Sequence, residues 1–229
     1  KIRKLLERNS IMSELSNLYK TALFQLEISE AEQSVLEQVG YSLVGQADAF
    51  RRLQLVILKK ESQYRYSSLL GTSVVMDFDW DSSTVCLTYL ESEVRLSMKD
   101  FMLWLAYTDL LLAPIIPLGS LVELDRELLP DGLVSAMEDA KVPFMATIMG
   151  RRIISGPDDK EYIDYMASIY PYGMRLDVEP LFIPSYLISR VVQEGYSDVL
   201  DQNYVDKQYR RDYFQHNIFS ITYSTEGGD

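Results

Sequence analysis

Val74-Val75-Met76-Asp77-Phe78-Asp79-Trp80, followed by Thr84 to Leu90 and Glu93 to Leu96, is where the chain changes its hydrophobic period to two. Apolar, β-branched and aromatic residues alternate or run together in these stretches, and Asp81-Ser82-Ser83 and Glu91-Ser92 separate them as turns do. This spacing predicts a three-stranded antiparallel meander. Immediately afterwards Ser97 and Asp100 suggest an N-cap, opening a helix over Met98–Leu112 that ends before Pro114.

Upstream the period is helical. Ile2, Leu5, Leu6, Ile11, Met12, Leu15, Leu18, Tyr19, Ala22, Leu23 and Leu26 fall on one side of a long amphipathic helix over residues 2–26. Ser29-Glu30-Ala31-Glu32 is a Ser-x-x-Glu capping box, and Gly40 stands where a helix ends, which predicts a second helix over Ala31–Val39. A third is expected from about Leu43 to Glu61.

Downstream, Pro114 and Pro117 separate two halves, 1–113 and 114–229. The second half reads as a strand at Leu118–Leu124, a short helix near Leu133–Ala140, and strands at Phe144–Ile154, Glu161–Tyr170 and Ser189–Glu194. Ser197-Asp198 then caps a closing helix to about Phe214, with an edge strand within Asn217–Tyr223. Helices and antiparallel strands segregated along the chain define an α+β protein.

Composition narrows the function classes. The 229 residues are 47% hydrophobic and 24% charged, as in a soluble globular protein, and the net charge is −12. That balance argues against nucleic acid, whose phosphates are bound by clustered Lys and Arg. Up to Arg65 there are ten basic and eight acidic residues, so the acidic surplus lies beyond Arg65, where it serves solubility first and also suits a basic partner. Cys86 is the only cysteine and His216 the only histidine, which excludes a disulfide framework and a Cys/His zinc site within the chain. Cys86 sits in an alternating run and is expected to be a buried, unreactive thiol in an intracellular protein. The apolar window Phe101 to Leu118 contains Asp109, Pro114 and Pro117, so it reads as a core helix and no membrane insertion is expected. Lys1 at the start, in place of Met, is read as the mark of a trimmed segment.

Candidate chemistry is sparse. Asp77, Asp79 and Asp81 alternate, but a calcium loop needs Gly and an acidic residue at positions held by Ser82 and Thr88, so no metal is expected. His216 has Asp212 one helical turn before it, without a Gly-x-Ser-x-Gly elbow to supply a nucleophile. The phosphate-binding glycine patterns are absent, so no cofactor and no catalytic residue is assigned. Arg151-Arg152 is the one compact basic spot of the acidic half, with Glu161 or Asp164 the expected ion-pair partners on the neighbouring strand. Tyr162, Tyr165, Tyr170 and Tyr172 fall within eleven residues, with Met174 close behind. Tyrosine offers large contact area with a polar tip, so these five residues, with Arg151 and Arg152, are the partner-binding candidates; one strand face is expected to present several of the large groups together, while about half of the chain's later tyrosines pack within the sheet.

A resemblance adds a context. Pro117-Leu118-Gly119-Ser120-Leu121-Val122, Ile148-Met149-Gly150-Arg151, Tyr162-Ile163-Asp164-Tyr165, Tyr170-Pro171-Tyr172-Gly173 and Glu194-Gly195-Tyr196 occur in order. This succession, over residues 117–196, resembles a small domain family encoded in the type VIIb secretion loci of Gram-positive bacteria, beside the LXG polymorphic toxins. Two departures stand out: residues 125–142 lengthen the first connection, and Phe182-Ile183-Pro184-Ser185 replaces a Phe-Asn turn. The resemblance implies a non-enzymatic, cytoplasmic chaperone or targeting adaptor whose partner is an LXG-type toxin or an associated small helical secretion factor. An immunity protein that neutralises the toxin is the alternative, and a hydrolase a more distant one. The oligomeric state is left open.

Overall fold

A computed structural model describes residues 14–67, 73–156 and 158–224. The chain forms two compact units. One comprises the described residues up to Pro114 with Arg210–Phe219 and the stretch from Tyr223; the other comprises Ile115–Tyr209 and Ser220–Thr222.

The first unit begins with α1 (residues 14–23), α2 (Glu30–Val44) and α3 (Ala47–Leu58). The expected first helix falls partly on residues 2–13, which lie outside the described residues. The capping box forms as the sequence predicts: Ser29 Oγ accepts from the Glu32 N–H, and the Glu32 carboxylate accepts from the Ser29 N–H at 2.8 Å. Gly40 does not end α2, which runs on to Val44. A Cβ built on Gly40 would lie 2.2 Å from the Tyr19 hydroxyl, so glycine here serves the close approach of α1. Helix α3 stops earlier than expected, at Leu58, where Lys60 takes a left-handed conformation (φ 50°) and the Glu61 N–H bonds back to the Val56 carbonyl at 2.9 Å.

After this turn comes β1 (Gln63–Ser67), which the sequence pattern did not predict. It pairs antiparallel with β2 (Ser73–Asp79), and β3 (Thr84–Tyr89) and β4 (Ser92–Ser97) complete a sheet of four strands in sequential order, one more than predicted. The reason lies in Tyr64 and Tyr66, which alternate with polar residues and bury beside Met76 and Val74. Helix α4 (Met98–Leu111) follows, with Ser97 Oγ accepting from the Asp100 N–H at 3.0 Å as the N-cap. Phe101, Trp104, Leu105 and Leu110 are each fully buried, so α4 is the core helix. No helix among the described residues is long and apolar enough to cross a membrane.

The second unit is built on β5 (Leu121–Leu124), α5 (Asp131–Asp139), β6 (Met145–Ile154), β7 (Glu161–Ile169), β8 (Leu181–Ile183), β9 (Ile188–Gln193) and α6 (Val199–Tyr204). A π-helical segment, Val205–Asp212, leads on to α7 (Tyr213–His216) and the two-residue β10 (Phe219–Ser220). Strand order in the sheet is β10-β7-β6-β5-β9, with β8 also on β7. Its core gathers Val122, Leu124, Ala146, Ile148, Tyr165, Ala167, Ile183 and Ile188, with Leu133 and Val134 of α5 packed against it. β8 was not predicted because three residues carry too little periodicity to register.

The chain's return to the first unit is anchored at α4. Arg210 donates to the carbonyls of Leu110 at 3.3 Å and Ala113 at 2.9 Å, meeting the orphan acceptors of the helix C-terminus. Tyr107 stacks edge-on with Phe214 and Phe219.

Candidate functional site

The two candidate arginines are interior. Consecutive strand residues ordinarily point to opposite faces, but Arg152 has φ 48°, and this left-handed residue breaks the alternation of β6. Both side chains reach Tyr209: Arg151 lies 5.7 Å from its ring centroid, and Arg152 Nη1 donates to its carbonyl at 2.5 Å. The ion-pair partner of Arg151 is Asp201 of α6, at 2.7 Å, rather than Glu161 or Asp164. That bond, ahead of every other influence, holds the Asp201 carboxyl below its ordinary range. Arg152 lies over the Tyr162 ring at 5.1 Å and exerts a favourable field on Asp164. Burial pushes the Asp164 carboxyl up, opposed by the Ser185 N–H, which donates to it at 2.6 Å.

The tyrosines divide between interior and surface. Tyr162 and Tyr165 are three residues apart on β7, so they fall on opposite faces, and both are buried. Tyr165 belongs to the core, with its hydroxyl accepting from the Ile116 N–H at 3.1 Å, while Tyr162 meets Arg152. One exposed face does not therefore hold all five predicted groups. Tyr170, Tyr172 and Met174 are exposed, as are Leu176 in the β7–β8 connection and Phe182 within β8, both absent from the sequence-based candidates. The apolar-polar alternation Met174-Arg175-Leu176-Asp177 is the signal that points to Leu176.

This exposed stretch is held in shape by local bonds. Tyr170-Pro171 is a cis peptide, and the Gly173 N–H donates to the Ile169 carbonyl at 3.2 Å. Arg175 and Val178 form a bridge, Arg175 pairs with Asp177 at 2.6 Å, and its guanidinium lies 5.7 Å from the Tyr172 ring. Large exposed apolar side chains on a loop held by such bonds can bury area against a partner with little ordering cost.

The recurring glycine and serine positions also act structurally. Gly195 N–H donates to Ser120 Oγ at 2.9 Å, and a Cβ on Gly195 would lie 2.0 Å from the Leu118 carbonyl oxygen. The opening and closing pieces of the 117–196 succession thus meet at one joint, which only glycine fits.

Elsewhere, Asp77 and Asp79 share the exposed face of β2, and Asp81 lies past the end of the strand. Asp77 accepts from the Gln63 amide, Asp79 accepts from the N–H groups of Asp81 and Ser82, and Asp81 stands in the turn. Among the described residues no three His, Cys, Asp or Glu side chains converge as a metal site requires. The His216 ring Nδ1 contacts the Asp212 backbone carbonyl at 2.7 Å, not its carboxylate. Cys86 is half-buried rather than buried, and burial, then a hydrogen bond with Glu93, pushes its thiol up and disfavours the thiolate.

The chain is an α+β protein with two antiparallel sheets. Residues 128–204, from the end of the β5–α5 connection to the end of α6, match the family described as Domain of unknown function (DUF4176). The match holds the exposed stretch, both arginines, Asp201 and Tyr162, while Tyr209 lies beyond it. No curated protein and no solved structure matches the chain.

Proposed function

We propose that this protein is a non-enzymatic cytoplasmic adaptor that binds an LXG-type toxin and serves as its chaperone or targeting factor in type VIIb secretion. The secretion context comes from the resemblance over residues 117–196. The observation that carries a binding role is the exposed set Tyr170, Tyr172, Met174, Leu176 and Phe182, inside the segment with the family match. Residues 115–209 hold sixteen Asp and Glu against eight Lys and Arg, which favours a partner with basic flanks around an apolar contact.

Co-expression with the toxin encoded beside the gene, followed by gel filtration, tests the reading. Co-elution is expected, and separate elution at about micromolar concentration overturns it. Deleting the gene separates the roles, since loss of a chaperone abolishes toxin export, whereas loss of an immunity protein preserves export and poisons the cell. Lost export is the expected outcome.

A further inference from the structure

Strand β8 has a sequence that does not fix its own register. Leu181-Phe182-Ile183 is apolar at every position, so the hydrophobic pattern favours neither parity. Pro180 and Pro184 bound the strand and lack an N–H, and its ladder on β7 is three pairs long: Tyr165↔Ile183, Met166↔Phe182 and Ala167↔Leu181. In this register Ile183 is buried in the core and Leu181 packs against it, while Phe182 takes the other face and is 51% exposed. A slip of one residue would set Phe182 opposite Tyr165, on the core face, and bring an aliphatic side chain out in its place.

The group that distinguishes the registers is Asp164. It lies two residues before Met166, on the β7 face that Met166 and Phe182 share, and only 5% of it is exposed. Ser185, just past Pro184, carries the first backbone donor beyond the strand, and its N–H donates to Asp164 Oδ2 at 2.6 Å. The hydroxyls of Ser185 and Ser220 bond the same carboxylate. Sliding β8 by one residue moves Ser185 about 3.3 Å along β7, out of hydrogen-bond reach, and leaves the buried carboxylate without that donor. We propose that Asp164 is a positioning residue for the partner contact: its bond to Ser185 fixes the register of β8 and so puts Phe182, rather than Leu181 or Ile183, on the exposed face. This rests on the adaptor reading, in which Phe182 belongs to the surface that meets the client. Asp164, being buried, acts through Phe182.

Client titration and thiol labelling of the full chain test the proposal separately. Asp164→Ala removes the acceptor, and Ser185→Pro removes the donor N–H; Pro184 already has the extended backbone (ψ 153°) that a following proline requires. Each is expected to weaken client binding about tenfold, as Phe182→Ala does. Asp164→Asn keeps a carbonyl oxygen for the Ser185 N–H and should bind within about threefold of the wild type. Asp164→Ala combined with Phe182→Ala should bind no more than about threefold weaker than Phe182→Ala alone, because the first change acts through the second residue. Circular dichroism checks that each variant is folded. In a Cys86→Ser chain, Phe182→Cys is expected to react with iodoacetamide at least about tenfold faster than Ile183→Cys, and adding Asp164→Ala or Ser185→Pro should bring the two rates within about threefold. A labelling ratio unmoved by both variants overturns the proposal, as do losses of affinity that add fully in the double variant. Should the wild-type chain bind no client, the adaptor reading fails and the labelling ratio alone decides the register.

Discussion

The Arg151 guanidinium lies 2.7 Å from the Asp201 carboxylate, tying β6 to the first turn of α6, with only 4% of the arginine side chain exposed and 24% of the aspartate. Removing the acid strands a buried cation, so Asp201→Ala is expected to cost ~3 kcal/mol in urea unfolding. Because the folded-state carboxyl titrates below its ordinary value, this pair's stabilisation is complete above the unfolded-state value of about 3.9 and is lost as pH falls through the lower folded one. Asp201→Asn should therefore lose that part of the acid sensitivity. Superimposable wild-type and Asp201→Asn stability profiles below about pH 4 would contradict the assignment.

Tyr19 and Gly40 are expected to show coupled effects. The Tyr19 hydroxyl bonds Thr108 Oγ1 at 2.8 Å and accepts from Trp104 Nε1 at 3.0 Å, so it cannot swing away from a new methyl on α2. Gly40→Ala should destabilise by ~2 kcal/mol through overpacking. Tyr19→Phe leaves the buried Trp104 N–H unmet, at ~1–3 kcal/mol, while Thr108 Oγ1 still donates to the Trp104 carbonyl, and it removes the clashing oxygen. The double variant should then be more stable than the sum of the two losses predicts, and strict additivity in denaturant titrations would argue against the contact.

Gly195→Ala sets a Cβ against backbone at Leu118 and Ser120, where no side chain can yield. A loss of ~3 kcal/mol is expected, against ~1–2 kcal/mol for Ser120→Ala, which only removes the acceptor of the Gly195 N–H. Thermal unfolding of both variants tests the order; a Gly195→Ala protein as stable as wild type would rule out the joint.

Surface and interior tyrosines should separate in function. Tyr170→Ala with Met174→Ala is expected to leave the unfolding curve nearly unchanged and weaken client binding by ~2 kcal/mol, the scale of interface hot spots. Tyr162→Ala should instead cost ~3 kcal/mol of stability, because the ring is buried under Arg152. Isothermal titration with the co-purified client, paired with urea unfolding, reads both. Undiminished affinity of the double variant would place the contact elsewhere.

Some of these features were legible in the sequence because they depend on groups within about four residues of one another. The Ser29/Glu32 box, the Ser97 cap of α4 and the Asp198 cap of α6 are local bonds, and each forms where the residue pattern predicts. Alternation in β2, β3 and β4 is likewise local, as is the α+β sequence of elements. The exposed Tyr170, Tyr172 and Met174 were among the candidates, but nothing in their spacing distinguished them from Tyr162 and Tyr165.

Sequence by itself determined the caps, the change of period and hence the class of fold, since near-neighbour hydrogen bonds and side-chain parity act before any distant segment arrives. Tertiary structure decided the rest. Gly40 stays within a helix because Tyr19 crosses there, and β1 exists because β2 offers Tyr64 and Tyr66 a place to bury. Arg151 finds Asp201, fifty residues away, rather than an acid on the adjacent strand, because the left-handed backbone at Arg152 turns both arginines toward Tyr209. Strand register and backbone conformation set which charges and rings meet, and neither is encoded within the few residues around any one of them.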